Sequence, residues 1–375
     1  MIRVLQLLTS TALGGGPRQV LHLVRHLPAS EFRVSAAGPR DARFATELRA
    51  MRVELAEVAL DALGTFPLML RRLTRLIRET RVDVVHTHGK GAGLYGRVAA
   101  RLTGVPSVHT FHGIHYESYS RAGRLVYLAL ERALARSTHT VINVSTTQDA
   151  EARRLGVARP GHSAVVVNGI DVAELDARPA LERAALALKA DDQVLGCVAR
   201  FDPVKQHEAL VRALPLVAKQ HPKAVLLLVG EGPEKERVDR LAAELDVRVV
   251  SPGAIGWEAN VYSSCDLYVS ASSKEGLPLA PLEAMASGLA VVATNVPGHR
   301  DIVDRDTGLL VPPDAAAPGL AAAIASLLGD PERRRRMGQA GRARVLKEFT
   351  LQSMIEKTAA VYRAAAASGR VTRRS

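Results

Sequence analysis

Short apolar runs alternate with longer amphipathic stretches along almost the whole chain, and this rhythm restricts the fold more than any other feature. It is the pattern of repeated βαβ units, in which helical crossovers return each strand parallel to the last. Two series are visible. The first predicts strands at Val4–Leu8, Phe32–Ala36, Val82–His86, Ser107–Phe111, Thr140–Val144 and Ala164–Val167. The second predicts them at Val194–Ala199, Ala224–Val229, Val247–Val250, Leu267–Ser270, Ala290–Ala293 and Gly308–Val311. At 375 residues the chain exceeds one ordinary core, domains being typically about 100–200 residues. The expected architecture is α/β: two Rossmann-like parallel-sheet domains facing across a cleft. The turn Asn168-Gly169-Ile170-Asp171, with the polar stretch that follows to Pro179, marks the boundary. We therefore expect an N-terminal domain over 1–175, joined by a C-terminal helix at about 350–375, and a second domain over 176–349. Arg370–Ser375 reads as a frayed basic tail.

Composition narrows the function classes. Hydrophobic residues at 47% and charged residues at 23% exclude wholesale disorder. Cys197 and Cys265 are the two cysteines and form no C-x-x-C, which excludes a disulfide framework and a cysteine zinc site and suits a reducing compartment. Met1–Leu8 is too short and interrupted for a secretion signal and reads as a first strand. The most apolar stretch, Leu125–Leu134, is broken by Glu131 and Arg132, so no membrane span and a cytoplasmic location are expected. The net charge of +12 is concentrated early, with 24 Lys+Arg against 15 Asp+Glu in residues 1–180. That balance suits an anionic partner (nucleic acid, phospholipid surface or phosphorylated substrate), or reflects an arginine-rich composition alone. Aromatic residues at 4% are too few for a base-stacking platform and no recognition motif accompanies them, which argues against nucleic acid.

Ligands of open parallel sheets bind beyond the carboxyl ends of the strands, so chemistry is sought just after each strand. After the first lies Thr9-Ser10-Thr11-Ala12-Leu13-Gly14-Gly15-Gly16-Pro17, followed by an apolar-periodic helix. Its glycines would let backbone N–H groups approach a phosphate at a helix N-terminus, or form a plain turn; neither the P-loop nor the dinucleotide fingerprint is present. Arg200 and Lys205 in Val198-Ala199-Arg200-Phe201-Asp202-Pro203-Val204-Lys205 could converge on one anion, a guanidinium fork beside an ammonium, or be separately solvated. In Glu275-Gly276-Leu277-Pro278-Leu279-Ala280-Pro281-Leu282-Glu283-Ala284-Met285-Ala286-Ser287-Gly288, a loop at Gly276–Leu279 enters a helix capped by Gly288. Glu275 and Glu283 are either surface charge or acceptors for sugar and ribose hydroxyls beside N–H groups suited to a diphosphate. Histidines end two further strands, at His86-Thr87-His88-Gly89 and His109-Thr110-Phe111-His112-Gly113. No carboxylate or cysteine spacing for a metal accompanies them, and none is expected. His112 reads as a polar group able to bind a hydroxyl or donate to an oxyanion, His86 and His109 as hydrogen-bonded structural histidines.

Taken in order, these motifs resemble the retaining glycosyltransferases of family 4, which have the GT-B fold. The resemblance covers nearly the whole chain and rests on Gly14–Gly16, Asp83–His88, His112, Asn168-Gly169-Ile170-Asp171, Arg200 with Lys205, Gly230-Glu231-Gly232, and Glu275 with Glu283. It implies an acceptor-binding first domain and a second domain that binds a nucleotide-diphosphate sugar, UDP favoured over GDP. Arg200 and Lys205 would hold the diphosphate, Glu275 the transferred sugar and Glu283 the ribose. Backbone groups of Gly276, Leu277, Pro278 and Leu279, with Gly15 or Gly16, would complete an anion cradle, and His112 would contact the sugar near the reacting carbon. The family needs no metal and no cofactor, and the reaction it implies is front-face attack with retention. Asp304-Arg305-Asp306 reads as a surface turn. The chain departs from the family's pattern at Ala199-Arg200-Phe201 for Gly-Arg-Leu, at Lys205-Gln206 for Lys-Gly, and at Arg18 for a frequent acid.

One helix raises a membrane question. From Phe66 to Arg78, at about 100° per residue, Phe66, Met69, Leu70, Leu73, Leu76 and Ile77 share a face while Arg71, Arg72, Arg75 and Arg78 occupy the other. It is either a crossover helix with a solvated side or an acceptor or anionic-membrane face. The expected activity is transfer of a hexose or N-acetylhexosamine to a lipid-linked or surface-polysaccharide acceptor. The alternatives are transfer to a small soluble acceptor, a non-hydrolysing nucleotide-sugar epimerase, and a basic nucleic-acid-binding protein.

Overall fold

The computed structural model describes every residue except 12–13, 61–64, 115, 117–118, 257 and 373–375. The chain divides into two compact units, one formed by Met1–Asn168 with the segment from Leu351 onward, the other by Gly169–Thr350. The first crossing falls inside the Asn168–Asp171 turn, so residues 169–175 go with the second unit. There the Ile170 N–H donates to the Phe349 carbonyl at 2.8 Å, and Asp171 caps the helix that follows by accepting from the Glu174 N–H.

Unit 1 alternates strand and helix: β1 (Ile2–Leu8), α1 (Gly15–His26), β2 (Phe32–Gly38), α2 (Ala42–Ala50), β3 (Leu55–Glu57), α3 (Phe66–Glu79), β4 (Val84–His88), α4 (Lys90–Thr103), β5 (Ser107–Phe111), α5 (Arg121–Ala135), β6 (Thr140–Asn143), α6 (Thr146–Arg154) and β7 (Ser163–Val165). Unit 2 continues with α7 (Val172–Ala177), β8 (Gln193–Val198), α8 (His207–Ala218), β9 (Ala224–Val229), α9 (Lys235–Glu244), β10 (Val249–Gly253), β11 (Leu267–Ser270), α10 (Leu279–Ala286), β12 (Val291–Thr294), α11 (Pro297–Ile302), β13 (Gly308–Val311), α12 (Ala316–Leu328) and α13 (Pro331–Glu348). The last helix, α14 (Leu351–Thr372), returns to unit 1. It carries Arg370–Thr372 in helical form rather than as a frayed tail; 373–375 lie outside the described residues.

Among the described residues both sheets are parallel throughout, with orders β3-β2-β1-β4-β5-β6-β7 and β10-β9-β8-β11-β12-β13. In each, the winding reverses next to the first strand, between β1 and β4 and between β8 and β11. Those are the topological switch points, beyond whose carboxyl ends ligands bind in such folds. β3 has no counterpart among the expected strands: two half-buried residues and an exposed Glu57 give no apolar run. β4 begins two residues later than expected, at Val84, so His88 lies in the strand and not after it.

Pleating sends successive residues to opposite faces. On one face of the unit 1 sheet Val4, Val84 and Val108 pack with Leu23 and Leu27 of α1 and with Met354 and Tyr362 of α14. On the other, Leu5, Leu7 and Val85 pack with Met69, Leu73 and Ile77 of α3 and Tyr95 of α4. The apolar side of α3 is therefore spent on the core, as the crossover reading of this helix requires. It is a crossover helix whose Arg71, Arg72, Arg75 and Arg78 face solvent, Arg75 pairing with Glu79 at 2.7 Å. No helix among the described residues is long and apolar enough to cross a membrane.

Candidate active site

In unit 2 the polar residues gather beyond β8 and β11. The loop after β8 is pinned by Gly232, at φ +156°, where a Cβ would lie 2.6 Å from the Phe201 carbonyl oxygen; only glycine allows that approach. Phe201 in turn donates its N–H to the Glu231 carbonyl at 2.9 Å. A short turn over 203–205 then presents Lys205, and Gln206 follows at φ +52°, ψ +41°. That is a left-handed position, which glycine adopts without strain and glutamine rarely does. Lys205 Nζ donates to Glu275 Oε1 at 2.6 Å, both side chains being largely buried. Arg200 is half-exposed and forks onto its neighbour Asp202, at 2.9 and 3.1 Å. The two cations are thus each matched to a carboxylate.

Glu275 sits against the start of α11, where a Cβ on Gly298 would come within 2.8 Å of the glutamate's own Cβ. Burial pushes its carboxyl up, but the Lys205 ammonium, His299 and hydrogen bonds from Lys205 and Ser272 outweigh it and hold the group below its ordinary range. His299 was not singled out from sequence. It is fully buried, donates Nδ1–H to the Thr294 carbonyl at 2.8 Å, and leaves Nε2 without a partner among the described residues. Its sequence signal was the Gly298-His299 step behind β12, legible only once Gly298 is seen against Glu275. Glu283 lies in α10 at 4% exposure, accepting from the Tyr262 hydroxyl at 2.8 Å with Arg178 at 3.9 Å. Gly276 and Leu277 are buried and Pro278 half-buried ahead of α10, which starts at Leu279 with no side-chain cap. Its first-turn N–H groups lack intrahelical acceptors and favour an anion.

In unit 1 α1 starts at Gly15, again without a side-chain cap; Ala12 and Leu13 of the preceding loop lie outside the described residues. A Cβ on Gly16 would rest 3.4 Å from the His112 ring, so the first turn of α1 adjoins the end of β5. His112 is half-buried, and burial lowers it to about 4. Its Nε2 lies 3.1 Å from Nδ1 of His88, the rings stacked at 18°. His86 and His109 are interior and hydrogen-bonded, His109 Nδ1 to the Thr87 hydroxyl at 2.8 Å. Both therefore have the structural surroundings expected of them.

Comparison with known proteins gives this geometry a family. The model described as Glycosyltransferase Family 4 matches residues 13–174, and that described as Glycosyl transferases group 1 matches 180–344. The putative glycosyltransferase EpsD of Bacillus subtilis is 30% identical over 308 residues, 78% of this chain and 80% of that protein. The chain belongs to glycosyltransferase family 4. A second relative, the UDP-Gal:alpha-D-GlcNAc-diphosphoundecaprenol alpha-1,3-galactosyltransferase of Escherichia coli, is 30% identical over 249 residues. The match spans 62% of this chain and 63% of that protein. Anabaena HepE, solved with UDP and glucose, superimposes with a TM-score of 0.84 at 21% identity, over 97% of this chain and 100% of that one. The fold of this family 4 member is GT-B.

Proposed function

We propose that the protein is a retaining glycosyltransferase, moving a hexose or N-acetylhexosamine from a nucleotide-diphosphate sugar, UDP in preference to GDP, to a lipid-linked or surface-polysaccharide acceptor. The observation that carries this reading is the Lys205–Glu275 pair, set beyond β8 and β11 at the switch point of unit 2. There a cation can take up charge developing on a departing diphosphate while the carboxylate accepts sugar hydroxyls. Arg200 adds a guanidinium by exchanging Asp202 for phosphate, the N–H groups of Gly276, Leu277 and Leu279 donate to diphosphate oxygens, and Glu283 takes the ribose. In unit 1, Gly15 and Gly16 offer backbone donors beside His112, which contacts the sugar.

With Glu275 engaged by Lys205 and Glu283 by Tyr262, neither carboxylate is set up as a nucleophile, which favours front-face attack. In that step the acceptor oxygen bonds to the anomeric carbon as the carbon–phosphate oxygen bond breaks, and the acceptor's proton passes to the departing phosphate oxygen. Arg200 and Lys205 would supply the positive charge that a metal supplies elsewhere, so we expect no metal requirement. The E. coli relative and HepE support UDP, and the former a lipid-linked acceptor.

For such an acceptor we place membrane contact on α5. Leu125, Val126 and Leu130 are 68%, 69% and 39% exposed, and Arg121, Arg124 and Arg136 face solvent beside them. The helix thus shows aliphatic and basic groups outward together, suited to an anionic bilayer surface. The arginines of α3 would add only to the general field. Vesicles rich in anionic lipid should retain the protein and lose it on Leu125→Glu with Val126→Glu; retention by that variant would reject this contact.

The deciding experiment is a melting panel with UDP, GDP, ADP and their sugars, run beside Lys205→Ala. Ligand at 100 times its Kd adds about 2.7 kcal/mol. A UDP-selective shift lost in the variant is the expected result; no shift with any nucleotide would overturn the reading. Product made without any acceptor would return the epimerase, and an inverted anomer would remove retention.

A further inference from the structure

β1, β4 and β5 bury an unusual set of polar side chains on the face that receives α14. In parallel pairing Gln6 lies opposite His86, and His88 opposite Thr110. Gln6, His86, His88 and Thr110 are all within 3% of full burial, in a layer otherwise built from valines. Burying polar groups there is costly unless each is hydrogen-bonded, and here they form one unbroken line. His112 Nε2 meets His88 Nδ1 at 3.1 Å, and His88 Nε2 meets Gln6 Oε1 at 2.8 Å. Gln6 Nε2 reaches the Tyr362 hydroxyl at 2.8 Å, which meets His86 Nδ1 at 2.6 Å; His86 Nε2 ends on the Thr110 hydroxyl at 2.7 Å.

Each link holds one proton, so one choice fixes all the others. The amide oxygen of Gln6 can only accept, which puts the proton of neutral His88 on Nε2. Its Nδ1 is then bare, and the link to His112 requires His112 to donate from Nε2. On the other side the amide nitrogen donates to Tyr362, whose hydroxyl donates to His86 Nδ1, leaving His86 Nε2–H for Thr110. All three rings thereby carry the proton on Nε2, the tautomer that a histidine side chain prefers intrinsically. The reversed amide would put all three on Nδ1, against that preference.

We propose that Gln6 and Tyr362 are positioning residues that hold His112 as its Nε2–H tautomer, making the ring's remaining nitrogen a pure hydrogen-bond acceptor. Nδ1 has no partner among the described residues. Of the two roles open to His112 from sequence, receiving a hydroxyl or donating to an oxyanion, the line leaves the first. It therefore recognises a hydroxyl of the sugar and gives no proton to phosphate. This consequence rests on the reading of His112 as a sugar contact; the tautomer itself does not.

The test is a long-range proton–nitrogen correlation spectrum of the full chain labelled with ¹⁵N at histidine, His112 being assigned by its loss in His112→Asn. The expected spectrum shows His112 protonated at Nε2 and bare at Nδ1. A proton on Nδ1 overturns the proposal. Tyr362→Phe frees the amide to turn, and a mixture of both His112 tautomers is expected, with weaker binding of the sugar nucleotide but unchanged binding of the nucleoside diphosphate. If that variant does not fold, Gln6→Met, which removes the amide, should give the same mixture. An unchanged Nε2–H signal in either folded variant overturns the positioning role. The spectra need no substrate, so a failure of sugar transfer would remove the functional reading and leave the tautomer standing.

Discussion

The two units hold polar groups at equivalent places in their sheets by opposite means. Beyond β8 and β11 unit 2 uses charge: Lys205 against Glu275 at 2.6 Å, and Glu283 between Tyr262 and Arg178. Beneath the ends of β1, β4 and β5 unit 1 uses neutral imidazoles, an amide and a phenol. An ion pair fixes position by attraction and stays ready to exchange its partner for an incoming anion. A neutral line fixes the direction of each proton instead and has no charge to lend. The difference suggests a division of labour, with charge stabilisation in unit 2 and hydroxyl recognition in unit 1.

The largest effect should come from breaking the ionic side. Lys205→Ala leaves Glu275 largely buried without its counter-ion, a change that typically costs about 3–5 kcal/mol, and under the proposed function it also removes a donor to the leaving group, worth about 10²–10³ in rate. Steady-state kinetics with the sugar nucleotide should show kcat/KM falling by at least that factor; a fall under tenfold would dissolve the contrast. Breaking the neutral side should act differently: His112→Ala is expected to lower kcat by about 10-fold, the loss of one neutral hydrogen bond, while nucleotide affinity by calorimetry stays within about twofold.

Acid should separate the units next. Burial lowers His86 to about 3 and His112 to about 4, and holds His88 and His109 well below their usual range. These rings are neutral when folded and protonate first when unfolded, so their contribution is whole above about 6.5 and is lost as pH falls from there toward 3. The depressed carboxyl of Glu275 keeps its pair until below the ordinary carboxylate range. Unit 2 has its own buried imidazoles, His207, lowered to about 4 by burial, and His299, but unit 1 has four. Hydrogen exchange between pH 6.5 and 4.5 should therefore show unit 1 amides losing protection faster than those of unit 2; equal losses would refute the assignment. The smallest effect belongs to Asp202→Asn, which frees the half-exposed Arg200. Exposed pairs are worth about 0–1 kcal/mol, so the melting temperature should barely move while phosphate affinity changes more.

The strands were legible because runs such as Ala224–Val229 are buried on both faces and must be apolar throughout. The first members of the site were legible because Arg200, Glu275 and His112 follow strands. Lys205 was legible too, but the distant neutral partners of the histidines were not. Gln6 and Tyr362 are 356 residues apart, and no local spacing connects them. The helices show the same limit. α3 separates apolar from basic residues, Leu68 excepted, yet its apolar side belongs to the core. α5 separates them poorly, since buried Glu131, paired with Arg97 at 2.7 Å, claims an inward position and turns Leu125 and Val126 out. Periodicity identifies a face; what covers it depends on the remainder of the chain.

The return of α14 to unit 1 has a consequence during synthesis. Residues 169–350 form unit 2 without interruption, so a ribosome releases everything that unit needs while unit 1 still lacks its final helix. Until α14 emerges, Val4, Val84 and Val108 lack part of their cover, and the Gln6–His86 layer lacks the phenol that links its two halves. The half made first is thus completed only after the other, and its polar layer closes only once α14 has been made.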